Sequence, residues 1–316
     1  MRILFINFTN KFYGGKAYER EALDILKSNF QIDFISAKKN FWKLFKISRK
    51  TDYDIAIRDL DSALFLNKKP TKNIVIVHHL DNSYSSPKVK FFYLMFQKRI
   101  FSNLKKCETI VTVSKYWKDF FEKLGFRNVY LIYNAFNLND FNFTCKEIEE
   151  FKKKYNLEGK PIIYLGNCQK GKGVVESYET LKDLGVHLVT SGEPMVKTPA
   201  RNLEIPHREY LKLLKASSVV LTMSKFKEGW CRTAHEAMLL KTPVIGSGRG
   251  GMKELLEGGE QIICEDFNSL KEKVEYLLKN PEIREKMGQD GYDFAKDFTL
   301  ERFKKDWQEL INKVIY

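Results

Sequence analysis

Residues 224–256 read SKFKEGWCRTAHEAMLLKTPVIGSGRGGMKELL. Two carboxylates in this stretch, Glu228 and Glu236, have seven residues between them and straddle a loop-to-helix junction. Lys227-Glu228-Gly229 is a polar approach, and residues 234–240 have the pattern of a short helix, stopped at Lys241-Thr242 ahead of Pro243. The spacing therefore predicts one acid on a loop and the other on a helix. The amides of residues 230–234 would be unpaired at the helix start, an anion site between the two acids. Carboxylates suit sugar hydroxyls and amides suit phosphate, so the stretch predicts a ligand that carries both. A nucleotide sugar is the common metabolite of that kind.

Around this stretch the second half alternates strands and helices. Residues 161–165 form a strand leading into Gly166-Asn167-Cys168-Gln169-Lys170-Gly171-Lys172-Gly173, followed by a helix over 174–184. Lysines among glycines after a strand resemble a phosphate cradle, although the Gly-Lys-Ser/Thr ending of a Walker loop is absent. Further strands are predicted at 186–190, 219–223, 244–246 and 261–264, and helices at 210–216, 270–279 and 300–314.

The first half follows the same alternation. A strand at 3–7, a loop with Gly14-Gly15 and a helix through 21–27 make a strand, glycine loop, helix unit. Apolar runs at 31–36, 55–57, 74–77, 109–113 and 129–132 complete a mostly parallel sheet. Ligand-facing candidates lie just past strand ends: Asn7, Arg58, His78, His79, Ser114 and Asn134. Neutral imidazole shares protons with hydroxyls near pH 7, which singles out the adjacent pair His78-His79. Spacing leaves open which of the two faces the ligand. The Asn-rich segment 134–142 marks the hinge, which gives an α/β chain of two domains, 1–138 and 139–299, with residues 300–316 a candidate to pack back on the first.

Bulk composition narrows the function. At 316 residues and 43% hydrophobic, the chain can bury two cores. No apolar run is long enough to span a bilayer, and the five cysteines show no paired metal spacing, so a cytoplasmic protein with reduced thiols is expected. The net charge of +14 is uneven: residues 1–140 carry 25 Lys and Arg against 13 Asp and Glu, the remainder 29 against 27. An anionic partner for the first half follows, unless the lysines only keep the surface soluble. Residues 88–106, KVKFFYLMFQKRIFSNLKK, place Val89, Phe92, Phe96 and Ile100 on one helix face between clusters of Lys and Arg. That pattern suits a helix lying on an anionic membrane and equally a core helix packed on both sides.

The ordered set of Glu228, GWCRTAH, Glu236, Ala237-Met238 and Thr242-Pro243-Val244-Ile245-Gly246 resembles the family 4 retaining glycosyltransferases. Gly14-Gly15, His78, Val113-Ser114, Ile132-Tyr133-Asn134 and Lys172-Gly173 after Gly166 extend the likeness over nearly the whole chain. The resemblance implies the GT-B fold, two Rossmann-like domains facing across a cleft, the first for the acceptor and the second for the nucleotide-sugar donor. It implies Glu228 at the reacting side of the donor sugar and Glu236 on the ribose hydroxyls. Backbone amides of Gly229, Trp230, Cys231, Arg232 and Thr233 would meet sugar and diphosphate, Lys172 the leaving diphosphate, and His78 would orient a sugar. Gly14, Gly15 and Gly166 belong to the donor set; His79 and Arg58 stand as acceptor-side candidates. Where the family usually has Arg after the glycine, this chain has Asn167, and Lys170 is the candidate replacement. Glu often stands two places after Gly-Gly in the family, where this chain has Ala17.

The partners implied are a nucleotide diphosphate sugar and a glycan or lipid-linked acceptor, with the inner membrane surface as a peripheral site and no cofactor or metal. Two rival readings come from other features. Asp59-Leu60-Asp61, following a strand, is the short pair by which a metal-dependent GT-A transferase would hold a divalent ion. The basic, Phe-rich first half would suit nucleic acid, but Glu228 and Glu236 beside an anion site would repel a polyanion, so no nucleic-acid partner is expected.

Overall fold

The computed structural model describes residues 1–7, 14–36, 41–80 and 87–315, with 14, 41 and 87–95 described by their backbone alone. The chain divides into two compact units, Met1–Ala135 with Leu300–Tyr316, and Phe136–Thr299.

The first unit is a six-stranded parallel sheet of β1 (Arg2–Asn7), β2 (Gln31–Ser36), β3 (Ile55–Asp59), β4 (Lys72–Val77), β5 (Thr109–Thr112) and β6 (Val129–Leu131), in the order β2-β1-β3-β4-β5-β6. Its central strands are uninterrupted apolar runs because helices cover both faces. Those helices are α1 (Gly14–Lys27), α2 (Phe41–Ile47), α3 (Pro87–Leu104), α4 (Lys115–Lys123) and the last element, α12 (Leu300–Ile315). Phe303 and Trp307 of α12 are buried, with their rings against Tyr18 of α1, and Lys72 Nζ donates to the carbonyls of Val314 and Ile315 at its C-terminal end. The chain enters at β1 and continues to β2 on one side and β3 on the other, so the order reverses between β1 and β3. Ligands of parallel sheets gather beyond the strand ends at such a point.

The second unit begins with α5 (Cys145–Lys154), started by a reciprocal capping box between Thr144 and Glu147. It then builds β7 (Ile162–Asn167), α6 (Val174–Leu181), β8 (His187–Ser191), β9 (Arg201–Leu203), α7 (His207–Ala216), β10 (Val219–Thr222), α8 (Arg232–Leu239), β11 (Val244–Gly246), α9 (Met252–Gly258), β12 (Ile262–Ile263), α10 (Leu270–Lys279) and α11 (Pro281–Ala295). The sheet order is β12-β11-β10-β7-β8-β9, with the reversal between β7 and β10. Ile163, Leu165, Val219, Leu221 and Ile245 from its strands pack on Val174, Leu181, Val274 and Leu277 from its helices.

Sequence patterning anticipates the long apolar strands and misses α11. Its Gly288 and Gly291 let α11 pack closely on α8 and the turn that follows it. A Cβ at 288 would lie 2.3 Å from the Lys241 carbonyl oxygen, and one at 291 would lie 3.0 Å from Met238 Cγ. Three-residue β9 offers no apolar run to detect. The helix predicted from 234 begins two residues earlier, at Arg232. It ends with Lys241 in the left-handed region (φ 56°), where the amides of Lys241 and Thr242 return to the carbonyls of Met238 and Ala237. Among the described residues no helix is long and apolar enough to cross a membrane. Residues 88–95, half of the basic-apolar segment, have side chains outside the described set; further along, Phe96 is 37% exposed while Ile100 is buried.

Candidate functional site

In the second unit the chemistry collects at the reversal between β7 and β10. After β7, Gly166 (φ 113°) turns the chain into the short 3₁₀ turn Lys170–Lys172. Gly173 (φ 70°) closes the turn, and a Cβ there would fall 2.4 Å from the Met223 carbonyl oxygen. This fixes Lys172 opposite the segment that leaves β10. Lys172 Nζ lies 2.6 Å from Glu228 Oε1, and the Ser224 hydroxyl donates to the same oxygen. The Glu228 side chain is only 8% exposed, so these contacts hold its charge against the cost of desolvation.

The backbone of Glu228 is fixed from the other side by the loop after β11. Glu228 N–H donates to the Arg249 carbonyl (3.1 Å), and Gly251 N–H donates to the Glu228 carbonyl (2.9 Å). Ser247 Oγ donates to the Ser224 carbonyl at 2.8 Å.

Glu236 sits in the second turn of α8 with a 7% exposed side chain. Its Oε2 accepts from the Tyr210 hydroxyl (3.2 Å), while His207 Nε2 (3.6 Å) and Arg232 Nε (3.8 Å) face Oε1. The hydrogen bond to Glu236 raises the His207 pKa, and burial raises that of Tyr210. Tyr210 also lies 3.1 Å from Thr233 Oγ1, which ties α7 to the first turn of α8. Tyr210, His207 and Ser224 were not among the sequence candidates; Ser224 alone carried a signal, as a hydroxyl immediately past a strand.

Between the two acids, Cys231 caps α8 in the left-handed region (φ 69°, ψ 73°) and is buried. Burial pushes its thiol up to about 12, so it is protonated at neutral pH. The expected row of unpaired amides is shorter than predicted: the Ala234 amide donates to the Cys231 carbonyl at 3.1 Å because the helix has already begun. Gly166, Asn167, Lys172, Ser224, Cys231 and Thr233 line one small pocket with Leu221 and Thr222. Trp230 is turned into the core, where Nε1–H donates to His235 Nδ1 at 2.9 Å. His235 lies fully buried, stacked 4.2 Å from Phe136, with Nε2 at 3.1 Å from the Ala295 carbonyl oxygen. Burial lowers its pKa to about 3, which makes it a neutral structural imidazole. The Asn167 amide oxygen accepts from Tyr164 (3.0 Å) and Ser191 (3.2 Å). Lys170 is exposed and close enough to Glu176 to help lower that carboxyl's pKa.

In the first unit, Gly14 and Gly15 open α1, and Gly15 lies directly against the ring of His78. His78 Nε2 is 3.3 Å from Glu19 Oε1; His79 is half-buried beside it in sequence. Arg58 does not fill the acceptor-side role expected of it. It is fully buried, and its guanidinium donates to the Ser62 and Phe65 carbonyls and to Asn67 Oδ1, because the turn after β3 needs its carbonyls capped. Asp59 of the Asp-x-Asp pair accepts from the Ser62 amide (3.0 Å) and lies 3.1 Å from Lys16 Nζ.

Residues 146–294 match the model of a family described as glycosyl transferases group 1. An uncharacterized glycosyltransferase of Methanocaldococcus jannaschii is 27% identical over 268 residues, 78% of this chain and 71% of that protein. A Campylobacter jejuni α-1,4-N-acetyl-D-galactosaminyltransferase, named for a diNAcBac-PP-undecaprenol-linked substrate, is 23% identical and covers 96% of this chain and 89% of its own. Among solved structures, HepE of Anabaena in complex with UDP-glucose has a TM-score of 0.81 at 14% identity over 99% of this chain and 100% of that one. Sucrose-phosphate synthase of Thermosynechococcus elongatus has a TM-score of 0.82 at 16% identity, covering 99% and 98%. These structures share the GT-B fold with the chain. The matched segment holds Lys172, Glu228 and Glu236, and relatives named as glycosyltransferases run along most of the sequence: the chain is a glycosyltransferase whose residues 146–294 match the group 1 family.

Proposed function

We propose that the chain moves a sugar, with retention of configuration, from a nucleoside diphosphate sugar to a glycan or lipid-linked acceptor in the synthesis of an envelope polysaccharide, lipopolysaccharide or glycolipid. The observation that carries this reading is the contact of Lys172 with Glu228 at the β7–β10 reversal. One carboxylate able to hold sugar hydroxyls and one ammonium able to hold phosphate stand side by side there. In this reading the second unit takes the donor and the first takes the acceptor. Glu236 with Tyr210 holds the ribose hydroxyls, the backbone of residues 229–233 and of Gly166 and Asn167 meets the diphosphate, and Lys170 supplies a further cation at the rim. Gly14 and Gly15 let the first unit's backbone approach the donor.

The reaction follows from charge. As the bond from the anomeric carbon to the phosphate oxygen breaks, its electron pair leaves with the diphosphate and positive charge grows on the ring. Lys172 and the first amides of α8 stabilise the leaving anion, which lowers the barrier. The acceptor oxygen attacks on the leaving-group side, and its proton passes to a donor phosphate oxygen; no better-placed nucleophile is required of the protein. His78 orients a sugar in this scheme, with His79 on the acceptor side. No metal is assigned to the reaction. A lipid-linked acceptor agrees with the basic first half and the exposed Phe96, Lys98 and Arg99 on α3, which suit an anionic membrane surface on the cytoplasmic side. The name of the Campylobacter relative also points to such an acceptor.

The test is a panel of nucleotide sugars scored for protection against thermal unfolding and for release of free nucleotide diphosphate. At least one should do both. If none protects and none is consumed, with or without a lipid-linked acceptor, the reading fails. Flotation with anionic liposomes at low salt tests the membrane arm separately, and no binding removes it.

A further inference from the structure

We infer that Glu19 is a positioning residue for His78, fixing which ring nitrogen carries the proton so that Nδ1 accepts a hydrogen bond from a sugar hydroxyl. The inference rests on the proposed role of His78 and adds to it a residue and a protonation pattern.

Glu19 lies in α1, with its side chain only 3% exposed. Its two oxygens are used differently. Oε2 accepts from Asn7 Nδ2 (2.7 Å) and from Lys16 Nζ (2.7 Å), an ammonium it shares with Asp59. Oε1 is turned to His78 Nε2, 3.3 Å away. Lys16 binds Asn7 Oδ1 (2.7 Å) and Asp59 Oδ2 (3.1 Å) as well, so the ends of β1 and β3 both hold the carboxylate in place, and β4 delivers the histidine to it. The side-chain amide of Asn7 has a single consistent orientation in this arrangement, NH₂ toward Glu19 and oxygen toward Lys16.

An ionised carboxylate only accepts hydrogen bonds, so its neighbour Nε2 must be the protonated nitrogen. In a neutral ring that leaves Nδ1 with a lone pair. The ring itself is seated: a Cβ at Gly15 would lie 2.8 Å from His78 Cδ2, and the Tyr18 ring meets His78 edge-on at 5.2 Å between centroids. The Tyr18 hydroxyl is engaged elsewhere, donating to the Ile132 carbonyl at 3.1 Å. Ring position and proton position are thus set by separate residues.

Glu19→Gln tests this sharply. Lys16 and Asn7 Nδ2 are both donors, so the glutamine oxygen must face them and its NH₂ must face His78. Nε2 then has to accept, and the proton moves to Nδ1. Imidazole ¹⁵N shifts of His78 should report Nε2–H in the neutral wild-type ring and Nδ1–H in the variant, with turnover reduced on the order of tenfold, as for other residues that orient a functional imidazole. In a cycle with His78→Ala the double variant should cost no more than His78→Ala alone. Neutral wild-type His78 protonated on Nδ1 overturns the inference without any variant, and so does an unchanged tautomer in Glu19→Gln. If the tautomer switches but His78→Ala turns over normally, the role given to His78 fails while the positioning by Glu19 stands.

Discussion

Gly250 backs directly onto the main chain of Glu228: a Cβ at 250 would lie 2.5 Å from the Glu228 carbonyl oxygen and 2.9 Å from its nitrogen, with Gly250 at φ 70°. Glu228 is therefore held by backbone at its rear, and only its carboxylate is presented. Gly250→Ala meets the left-handed penalty of about 1–2 kcal/mol as well as the clash, and the strand-like bridge to Glu228 has to open. The expected outcome is a loss of kcat/KM of tenfold or more with circular dichroism unchanged. Activity within twofold of wild type contradicts backbone positioning of Glu228.

Lys172 and Glu228 are predicted to fail in different ways. On the proposed mechanism Lys172→Ala removes the ammonium from the leaving diphosphate, and loss of one such stabilising group costs about 10²–10³ in kcat. Glu228→Gln keeps an oxygen for Ser224 and Lys172 but, on the proposed mechanism, weakens the hold on sugar hydroxyls, so the loss should appear for glycosyl transfer more than for binding of the nucleotide diphosphate alone. Calorimetric titration with nucleotide diphosphate alongside turnover separates the two.

At Cys231 the left-handed backbone should sharpen the N-cap preference for glycine over alanine. Because φ is 69°, glycine escapes a strain that every side chain bears. Cys231→Gly should be more stable than Cys231→Ala in urea unfolding, and Cys231→Val less stable than wild type, since β-branched residues are least tolerated there. Alanine more stable than glycine would show that the turn relaxes. With its thiol raised to about 12, Cys231 should also resist alkylation at pH 7.5 while exposed Cys145 reacts, as peptide mass mapping can show.

His235 makes stability fall in mild acid. Its folded pKa is about 3 against an ordinary 6.5, so below pH 6.5 the unfolded chain takes up a proton that the native core refuses. The contribution is fully present above 6.5 and declines as pH falls toward 3, by up to about 1.4 kcal/mol per pH unit. Denaturation midpoints measured from pH 7 to pH 4.5 should fall in wild type. In His235→Gln, less stable at pH 7, the fall should be shallower; an identical slope assigns the effect elsewhere.

Much of this was legible in advance where the signal is local. Central strands announce themselves as apolar runs because both faces are buried, and Glu228 and Glu236 stand out because they share one short stretch. The environment of each acid was not legible. Tyr210 and His207 reach Glu236 from a helix some 26 residues earlier, and only the return of β10 beside β7 brings Lys172 to Glu228 across 56 residues. Arg58 was misread because a strand-end position does not say whether a side chain continues outward or folds back to cap its own turn. Glu19 did carry a signal: it lies in the stripe of Tyr18, Ala22, Leu23 and Leu26 that α1 buries, where a carboxylate needs a reason to be.

The return of α12 to the first unit separates the order of synthesis from the order of completion. Residues 136–299 form a continuous unit, all of which is made before residue 300. The first unit, although its sheet is made earliest, lacks Phe303 and Trp307 against Tyr18 until residues 300–315 emerge. Until then Tyr18, the edge on which His78 rests, has an exposed apolar flank. A chain that stops near residue 299 would therefore hold every residue of the second unit while the first lacks the helix that covers Tyr18.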